Sequence, residues 1–355
     1  MNLYIRADAD SKIGIGHIMR CIALAQAWQN RGGNVTFISR CKSIPLKQKI
    51  QEEGFNLVPL DGVCPDPTDL KSILEVLKEN QTVNTENWFV LDGYHFTPYY
   101  QKAIHDTGMQ LLVIDDMNHL IHYHADIIIN QNSHARELTY NCAEDTILLK
   151  GASYVFLRRE FLKYRSFKRQ IPECAKNILV SLGGADPDNV TKKVIQALNL
   201  LSSKLQMEIN IVVGPANLHK EQIKSALEST GLNYNLLVNP SDMVDLMADA
   251  DLAISAGGGT YWELAYMGVP SIMIILAENQ KAGAEELGKA RIVLNLGWHN
   301  SLSIESLAQA IFSTAISAQA RLDMIQKGRD LIDGNGAAVT IDAMKSCAAR
   351  ERKTA

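Results

Sequence analysis

The chain has 355 residues, 46% of them hydrophobic, and a formal net charge of −4. This length favours two domains, each with enough apolar residues for its own core. The negative charge argues against a nucleic-acid partner and against an anionic membrane surface as the main partner. The six cysteines lack CxxC spacing, which favours free thiols in a reducing compartment over a zinc site.

No segment of the sequence is typical of a membrane protein. The N-terminus reaches a charge at Arg6 and lacks the apolar region of a signal peptide. The longest apolar run, residues 269–277, is far shorter than the ~20 residues that span a bilayer. We therefore expect a cytoplasmic protein without stable membrane insertion.

Short apolar runs alternate with longer amphipathic segments along the chain. In the first half, strands are predicted at residues 3–5, 34–38, 88–91, 111–114 and 126–129, and a helix at 17–31. The irregular, charged stretch 156–173 is predicted to be an inter-domain crossover. Beyond it, strands are predicted at 178–182, 209–213, 235–238, 252–255 and 271–275, with helices near 191–201, 220–229, 304–318 and 320–349.

This alternation predicts an α/β fold with two parallel, helix-covered sheets. We expect two Rossmann-like domains, residues 1–165 and 166–355. Ligands of such sheets bind beyond the carboxyl ends of the strands. We therefore expect the two domains to face each other across a cleft that holds the ligand.

The first candidate site is the turn Gly14-Ile15-Gly16-His17, between a predicted strand and a predicted helix. Glycines let backbone N–H groups approach a ligand, and the start of a helix favours a negative charge. Met19, followed by Arg20, stands where a dinucleotide fingerprint would have its third glycine, so a dinucleotide is not favoured. We expect His17 to be the catalytic residue; the alternative is a histidine that caps or packs the turn.

The second candidate site, residues 255–263, repeats the order of strand, glycines and helix. Gly257, Gly258, Gly259 and Thr260 are predicted to bind a diphosphate, and Glu263 the hydroxyls of a ribose. The alternative is a tight turn followed by an acid that suits the helix dipole.

Weaker signals follow other predicted strands. The amides of Asn279 and Gln280 suit a sugar, although an ordinary polar loop would look the same. Gly183 and Gly184 would let the backbone of the second domain approach either the ligand or the hinge. Tyr94 would either donate to the substrate or pack. Asp115-Asp116 and Asp186-Pro187-Asp188 resemble metal ligands, but Asp115, Asp116 and Asp186 also suit capping of the next element, so no metal is expected.

Together these motifs resemble the family that hydrolyses UDP-2,4-diacetamido-2,4,6-trideoxy-β-L-altropyranose in pseudaminic acid biosynthesis. That family and the related spore-coat polysaccharide proteins are similar to MurG-type glycosyltransferases of the GT-B fold. The resemblance rests on IRADADSKIGIGHIMRCIALA (5–25), VIDDMNHLIHYHADIIINQN (113–132), LLKGASYVFLRREF (148–161), ILVSLGGADPDN (178–189), SAGGGTYWELAYMGVP (255–270) and ENQ (278–280).

The resemblance implies roles for individual residues. His17 would activate the attacking water, and the backbone of Gly16 would lie against the substrate. Glu263 would bind the uridine ribose, Asn279 would contact the substrate, and Tyr94 would lie near the sugar. No metal or cofactor is implied.

The predicted reaction is hydrolysis of a UDP-linked 2,4-diacetamido-2,4,6-trideoxy hexose to free sugar and UDP, with water as the second reactant. The alternatives are a GT-B glycosyltransferase, an epimerase acting on a UDP-amino sugar, and a noncatalytic nucleotide-sugar-binding protein. The sequence leaves open the stereochemistry of the sugar, the oligomeric state and the role of residues 301–355.

Overall fold

The computed structural model describes residues 1–10, 13–62, 65–79 and 87–354. The chain divides into two compact units, each with its own parallel sheet. Unit 1 comprises Met1–Arg159 and Asn335–Ala355, and unit 2 comprises Glu160–Gly334. The prediction of two Rossmann-like α/β domains is thereby confirmed.

Seven parallel strands are described in the sheet of unit 1: β1 (Asn2–Ala7), β2 (Asn34–Ser39), β3 (Asn56–Pro59), β4 (Trp88–Asp92), β5 (Gln110–Ile114), β6 (Ile127–Asn130) and β7 (Ile147–Lys150). Their order is β3-β2-β1-β4-β5-β6-β7. The helices before the unit boundary are α1 (Gly16–Gln29), α2 (Ile44–Glu52), α3 (Asp69–Glu79) and α4 (Pro98–His105), with 3₁₀ turns at Ser133–Glu137 and Ala152–Tyr154. Every residue of β4 and β5 is buried, as expected for central strands of a parallel sheet.

Unit 2 repeats this topology with six described strands: β8 (Asn177–Ser181), β9 (Glu208–Val213), β10 (Asn233–Val238), β11 (Leu252–Ala256), β12 (Ser271–Ile275) and β13 (Leu294–Trp298). Their order is β10-β9-β8-β11-β12-β13. The helices are α5 (Arg159–Leu162) at the boundary, α6 (Val190–Asn199), α7 (Lys220–Glu228), α8 (Met243–Asp249), α9 (Thr260–Tyr266), α10 (Glu278–Lys289), α11 (Ile304–Ala315) and α12 (Ala318–Leu331), with a 3₁₀ turn at His299–Ser301.

Helix α1 follows from its sequence. Ile18, Ile22, Ala25 and Trp28 recur at helical spacing, and all four are buried in the core of unit 1. The helix ends shortly before Gly32, whose φ of +79° is a left-handed conformation that suits glycine. The sequence predicts this helix at residues 17–31, close to the observed bounds.

The last helix, α13 (Gly336–Thr354), returns to unit 1 and packs on α1. Its side chains Ala337, Ile341 and Met344 are buried in the same apolar cluster as α1. This differs from the predicted boundary, which kept residues 166–355 together. Unit 1 instead includes this helix, because its apolar face is buried there.

The predicted crossover contains the unit boundary after Arg159, and its later part is held to unit 2 by Arg169. The Arg169 guanidinium donates hydrogen bonds to the carbonyl oxygens of Met247, Ala248 and Gly268 at 2.6 to 2.9 Å. These carbonyls lie at the C-terminal ends of α8 and α9, where a cation satisfies otherwise unpaired acceptors.

Two further observations concern the whole of the described chain. None of its helices is both long and apolar enough to cross a bilayer. Its five cysteines are free thiols, while Cys64 lies outside the described residues.

Candidate active site

The carboxyl ends of β1 and β4 are the centre of the candidate site in unit 1. These strands are neighbours at the point where the strand order reverses, and ligands of such sheets bind in the crevice there. Helix α1, which follows β1, has His17 in its first turn, and Asp92 is the last residue of β4. The topology therefore brings His17 and Asp92 together.

Asp92 holds the imidazole of His17. The distance from His17 Nδ1 to Asp92 Oδ1 is 2.5 Å, and His17 is 7% exposed while Asp92 is fully buried. An ionised carboxylate only accepts hydrogen bonds, so a neutral imidazole bonded to it carries its proton on Nδ1 and its lone pair on Nε2. The pair therefore has the chemistry of a general base that accepts a proton at Nε2.

Arg20 lies one turn after His17 on α1 and binds Asp92 through two hydrogen bonds. Its Nε donates to Oδ2 at 2.7 Å, and its Nη2 donates to Oδ1 at 2.6 Å. The Nη1 group donates to Oδ1 of Asp116 at 2.8 Å. One guanidinium thus joins two carboxylates at the ends of the neighbouring strands β4 and β5.

Burial and charge act in opposite directions on these acids. Burial favours the protonated forms of Asp92 and Asp116, but the positive charge of Arg20 and its hydrogen bonds outweigh it, and the pKa of each acid lies below its ordinary value. Burial likewise opposes the charge of Arg20, yet the two carboxylates raise the pKa of Arg20 well above its ordinary value. All three groups are therefore charged at neutral pH.

Tyr94 joins this network from the loop after β4. Its hydroxyl donates to Asp116 Oδ2 at 2.8 Å. Its ring meets the imidazole of His17 edge-on, with the ring centroids 5.0 Å apart. Tyr94, which is predicted to lie near the sugar, therefore lies beside His17, the predicted base.

A second buried network fixes the end of β1 before the loop. Nη2 of Arg6 lies 2.8 Å from oxygens of both Asp8 and Asp69. The hydroxyl of Tyr100 donates to Asp69 at 2.6 Å, and the backbone N–H of Arg40 donates to Asp8 at 2.7 Å. Since these charges pair with one another away from water, we interpret the network as holding the strand end in place.

The loop between β1 and α1 is closed by Asp10, whose carbonyl accepts the N–H of Gly14 at 2.9 Å. Gly14 has a φ of +77°, which disfavours any side chain there. Gly16 is exposed, and a methyl group added to it would meet no atom within 4 Å. The backbone next to His17 is thus open to close approach by a ligand.

The equivalent reversal of strand order in unit 2 lies between β8 and β11. Gly183 and Gly184 follow β8, the three glycines 257–259 follow β11, and Asn279 and Gln280 lie in the first turn of α10 after β12. The unit 2 residues predicted to bind the substrate therefore follow three neighbouring strands of one sheet.

Gln280 packs against the glycine loop. Its Oε1 accepts the N–H of Leu276 at 3.0 Å, and a Cβ added to Gly257 would lie 3.1 Å from the Gln280 Cβ. A Cβ added to Gly259, by contrast, would meet no atom within 4 Å. Thr260 begins α9, and Glu263 lies in its first turn, half-buried.

The acids that resemble metal ligands in sequence have protein partners. Asp115 accepts hydrogen bonds from the hydroxyls of Tyr123 at 3.1 Å and Tyr140 at 2.7 Å. Asp186 accepts two backbone N–H groups at the start of α6, at 2.8 and 2.9 Å. In the described part of the chain, no three His, Cys, Asp or Glu side chains are grouped to hold a metal ion. Metal independence stays a prediction.

Comparisons with known proteins agree with this architecture. Residues 177–330 match the Glycosyltransferase family 28 C-terminal domain, which corresponds to most of unit 2. Spore coat polysaccharide biosynthesis protein SpsG of Bacillus subtilis is 27% identical, over 95% of this chain and 95% of its own. The UDP-2,4-diacetamido-2,4,6-trideoxy-beta-L-altropyranose hydrolase of Campylobacter jejuni is 23% identical, over 81% of this chain and 97% of its own.

Over most of its length the chain is therefore similar to SpsG and to this hydrolase. A further relative, the uncharacterized protein MJ1062 of Methanocaldococcus jannaschii, is 28% identical over 79% of this chain and 57% of its own. The matched region thus spans little more than half the length of that relative.

Solved structures place this SpsG-like chain in the GT-B fold. MurG of Acinetobacter baumannii has a TM-score of 0.65, with 16% identity over 97% of this chain and 99% of its own. A glycosyltransferase of Rickettsia africae has a TM-score of 0.60, with 15% identity over 98% of each chain. At these identities the likeness shows the fold alone.

For this SpsG-like protein, sequence reasoning selects His17 and Tyr94 but assigns no role beside them to Arg20, Asp92 or Asp116. The available signal is that Asp92 and Asp116 follow apolar strands directly. Arg20 stands out in the sequence only as a charged residue within the apolar run of residues 18–25. Its contacts with both acids become visible only in the folded chain.

Proposed function

We propose that this protein hydrolyses a UDP-linked 2,4-diacetamido-2,4,6-trideoxy hexose to free sugar and UDP, in the biosynthesis of pseudaminic acid or a related nonulosonic acid. The observation that carries the proposal is the His17–Asp92 pair, a histidine base whose tautomer is fixed by a buried carboxylate. The name of the Campylobacter jejuni relative supports the choice of sugar and leaving group.

In unit 1, His17 is the general base. Its Nε2 takes a proton from water while the water oxygen forms a bond to the anomeric carbon. The bond from that carbon to the diphosphate oxygen breaks, and its electron pair leaves with UDP. Gly14 and Gly16 have no side chains that would obstruct the sugar, and Tyr94 lies next to the sugar.

In unit 2, the loops after β8, β11 and β12 bind the leaving group. The backbone N–H groups of residues 257–260 hold the diphosphate and stabilise the negative charge that grows on it. Glu263 accepts hydrogen bonds from the ribose hydroxyls. Gly183 and Gly184 allow the substrate to approach the backbone closely. The side-chain amides of Asn279 and Gln280 form hydrogen bonds with the substrate.

A glycosyltransferase is the second candidate, and the match of residues 177–330 to the Glycosyltransferase family 28 C-terminal domain favours it. In that reaction a hydroxyl of an acceptor would replace water at Nε2 of His17. The two functions differ in one measurable property, since only a hydrolase releases free sugar at full rate without an acceptor.

The test is incubation of the diacetamido sugar nucleotide with the protein in H₂¹⁸O, followed by mass spectrometry. We expect free sugar and UDP in equal amounts, and UDP without ¹⁸O because the carbon–oxygen bond breaks. His17→Gln should lower kcat by about 10²- to 10⁴-fold, the usual contribution of a general base.

His219→Gln, in unit 2, is the matched control and should turn over at the wild-type rate. Wild-type protein that releases sugar only when an acceptor is added would refute hydrolysis in favour of transfer. Full activity in His17→Gln would refute the role of His17 as the base.

A further inference from the structure

The side chains around Nδ1 of His17 form a small buried ion cluster. We call His17, Arg20, Asp92 and Asp116 the Arg20 cluster. Arg20 is 17% exposed, Asp116 is 11% exposed and Asp92 is fully buried, measured on their side chains. Water therefore screens these charges little, and the stability of the cluster depends on its net charge.

The sum of these charges depends on the protonation of His17. With a neutral imidazole, one guanidinium and two carboxylates leave a net charge of −1 in the cluster. When His17 takes a proton, the net charge becomes zero. A buried cluster is more stable when its charges cancel, and here the two carboxylates match one guanidinium and one imidazolium.

We propose that Arg20 and Asp116 are positioning residues for His17, a proposal that rests on the proposed role of His17 as the base. Arg20 holds Asp92 against Nδ1, and Asp116 supplies the second negative charge that balances the protonated imidazole. Neither residue needs to touch the substrate for this role.

The role of Arg20 follows from the burial of Asp92. Without the guanidinium, a fully buried carboxyl group favours its protonated form. A protonated Asp92 would donate a hydrogen bond to Nδ1 of His17, which would move the ring proton to Nε2. The histidine would then have no lone pair at Nε2 and could not act as the base.

Asp116 is held in place from three sides. Besides Arg20, the hydroxyl of Tyr94 donates to its Oδ2 at 2.8 Å, and Nδ2 of Asn132 donates to its Oδ1 at 3.3 Å. Tyr94 also contacts the ring of His17 edge-on. Asp116 therefore acts on His17 in two ways, through its negative charge and through the position of the Tyr94 ring.

Other groups near His17 leave the charge of the cluster unchanged at neutral pH. Burial, and then the charge of Asp92, raise the pKa of the Cys21 thiol, so Cys21 is neutral. Burial lowers the pKa of His95 to about 4, so this histidine is neutral as well. The third neighbour, Tyr94, is a phenol whose hydroxyl donates to Asp116.

The test is a pH titration of ¹⁵N-histidine-labelled protein by NMR, with the His17 signals assigned by their loss in His17→Gln. In wild type we expect the proton on Nδ1 in the neutral form. Asp116→Asn should lower the proton affinity of His17 about tenfold, which shifts its titration midpoint down by about one pH unit. Arg20→Met should move the proton of the neutral ring to Nε2.

Two further variants control for unfolding and for the loss of an unrelated arginine. Arg20→Lys retains the positive charge and should retain the wild-type tautomer, even if Arg20→Met unfolds. Arg31→Met removes an exposed arginine near the end of α1 that pairs with Asp342, and it should leave the titration of His17 unchanged.

Enzyme kinetics separate this proposal from the proposed function. With the diacetamido sugar nucleotide, Asp116→Asn should move the acid limb of kcat/KM down by about one pH unit and change KM less than about threefold. If wild type turns over but Asp116→Asn shows wild-type midpoints in both experiments, the Arg20 cluster proposal is wrong and the function stands. If wild type does not turn over, the function fails, and the NMR titration still decides the proposal.

Discussion

His95 lies beside a buried carboxylate and is nevertheless neutral. Its Nε2 is 3.6 Å from Oδ2 of Asp8, and its side chain is 19% exposed. Burial is the largest influence and lowers the pKa of His95. The positive charges of Arg6 and Arg40 act in the same direction against the attraction of Asp8, and the result is a pKa of about 4.

This residue should make the stability of the protein depend on pH. An unfolded histidine has a pKa near 6.5, so between pH 6.5 and 4 the unfolded chain binds a proton that the folded chain does not. The free energy of unfolding should therefore fall as the pH drops through that window, by up to about 3 kcal/mol from His95.

The measurement is urea unfolding of wild type and His95→Asn at pH 7.5, 6 and 5. The variant should lose less stability over this range, and the difference between the two curves isolates His95 from other titrating groups. Parallel curves for the two proteins would contradict the assigned pKa shift.

At the scale of elements, the glycines of the first loop have separable roles. Gly14 has a φ of +77°, so Gly14→Ala should cost about 1 to 2 kcal/mol of stability. Gly16→Ala meets no protein atom within 4 Å, so it should fold with a nearly unchanged melting temperature. If a ligand approaches the backbone here, Gly16→Ala should raise KM about tenfold or more, equivalent to about 1.4 kcal/mol of lost binding.

Melting temperature and KM measured on both variants check this prediction. Each variant serves as the control for the other, because one tests the fold and the other tests the open space beside His17. An unchanged KM in Gly16→Ala would mean that no ligand comes close to this backbone.

Elements with a clear apolar pattern are predictable from the sequence, and others are not. Helix α1 has buried side chains at helical spacing, and the prediction lies within two residues of each observed end. Strand β3 is not predicted, because it is a short edge strand with only half-buried or exposed positions and so has no apolar run.

For the whole molecule, the C-terminal helix is the feature that the sequence leaves open. An apolar helix face can be read from residues 336–354, but the core that buries it cannot. The structure places Ile341 and Met344 in the core of unit 1 against α1, the helix that carries His17 and Arg20. The end of the chain therefore supports the helix with the proposed base.

Met344→Ala should destabilise unit 1 by about 2 to 5 kcal/mol, because it removes a fully buried side chain and leaves a cavity. Asp342→Ala is the matched control on the same helix. It removes an exposed ion pair with Arg31, which is worth less than about 1 kcal/mol. Thermal unfolding of both variants checks the prediction, and equal melting temperatures would mean that α13 does not support the core.

By itself, the sequence determines the alternation of strands and helices, the glycine loops after the strands, and His17 as the candidate base. These features are local, since apolar periodicity and glycine turns are set within about one turn or one strand. Only the tertiary structure decides that Arg20 joins Asp92 and Asp116, which follow it by 72 and 96 residues. Parallel strand order brings those residues together, and burial makes their charges interact strongly.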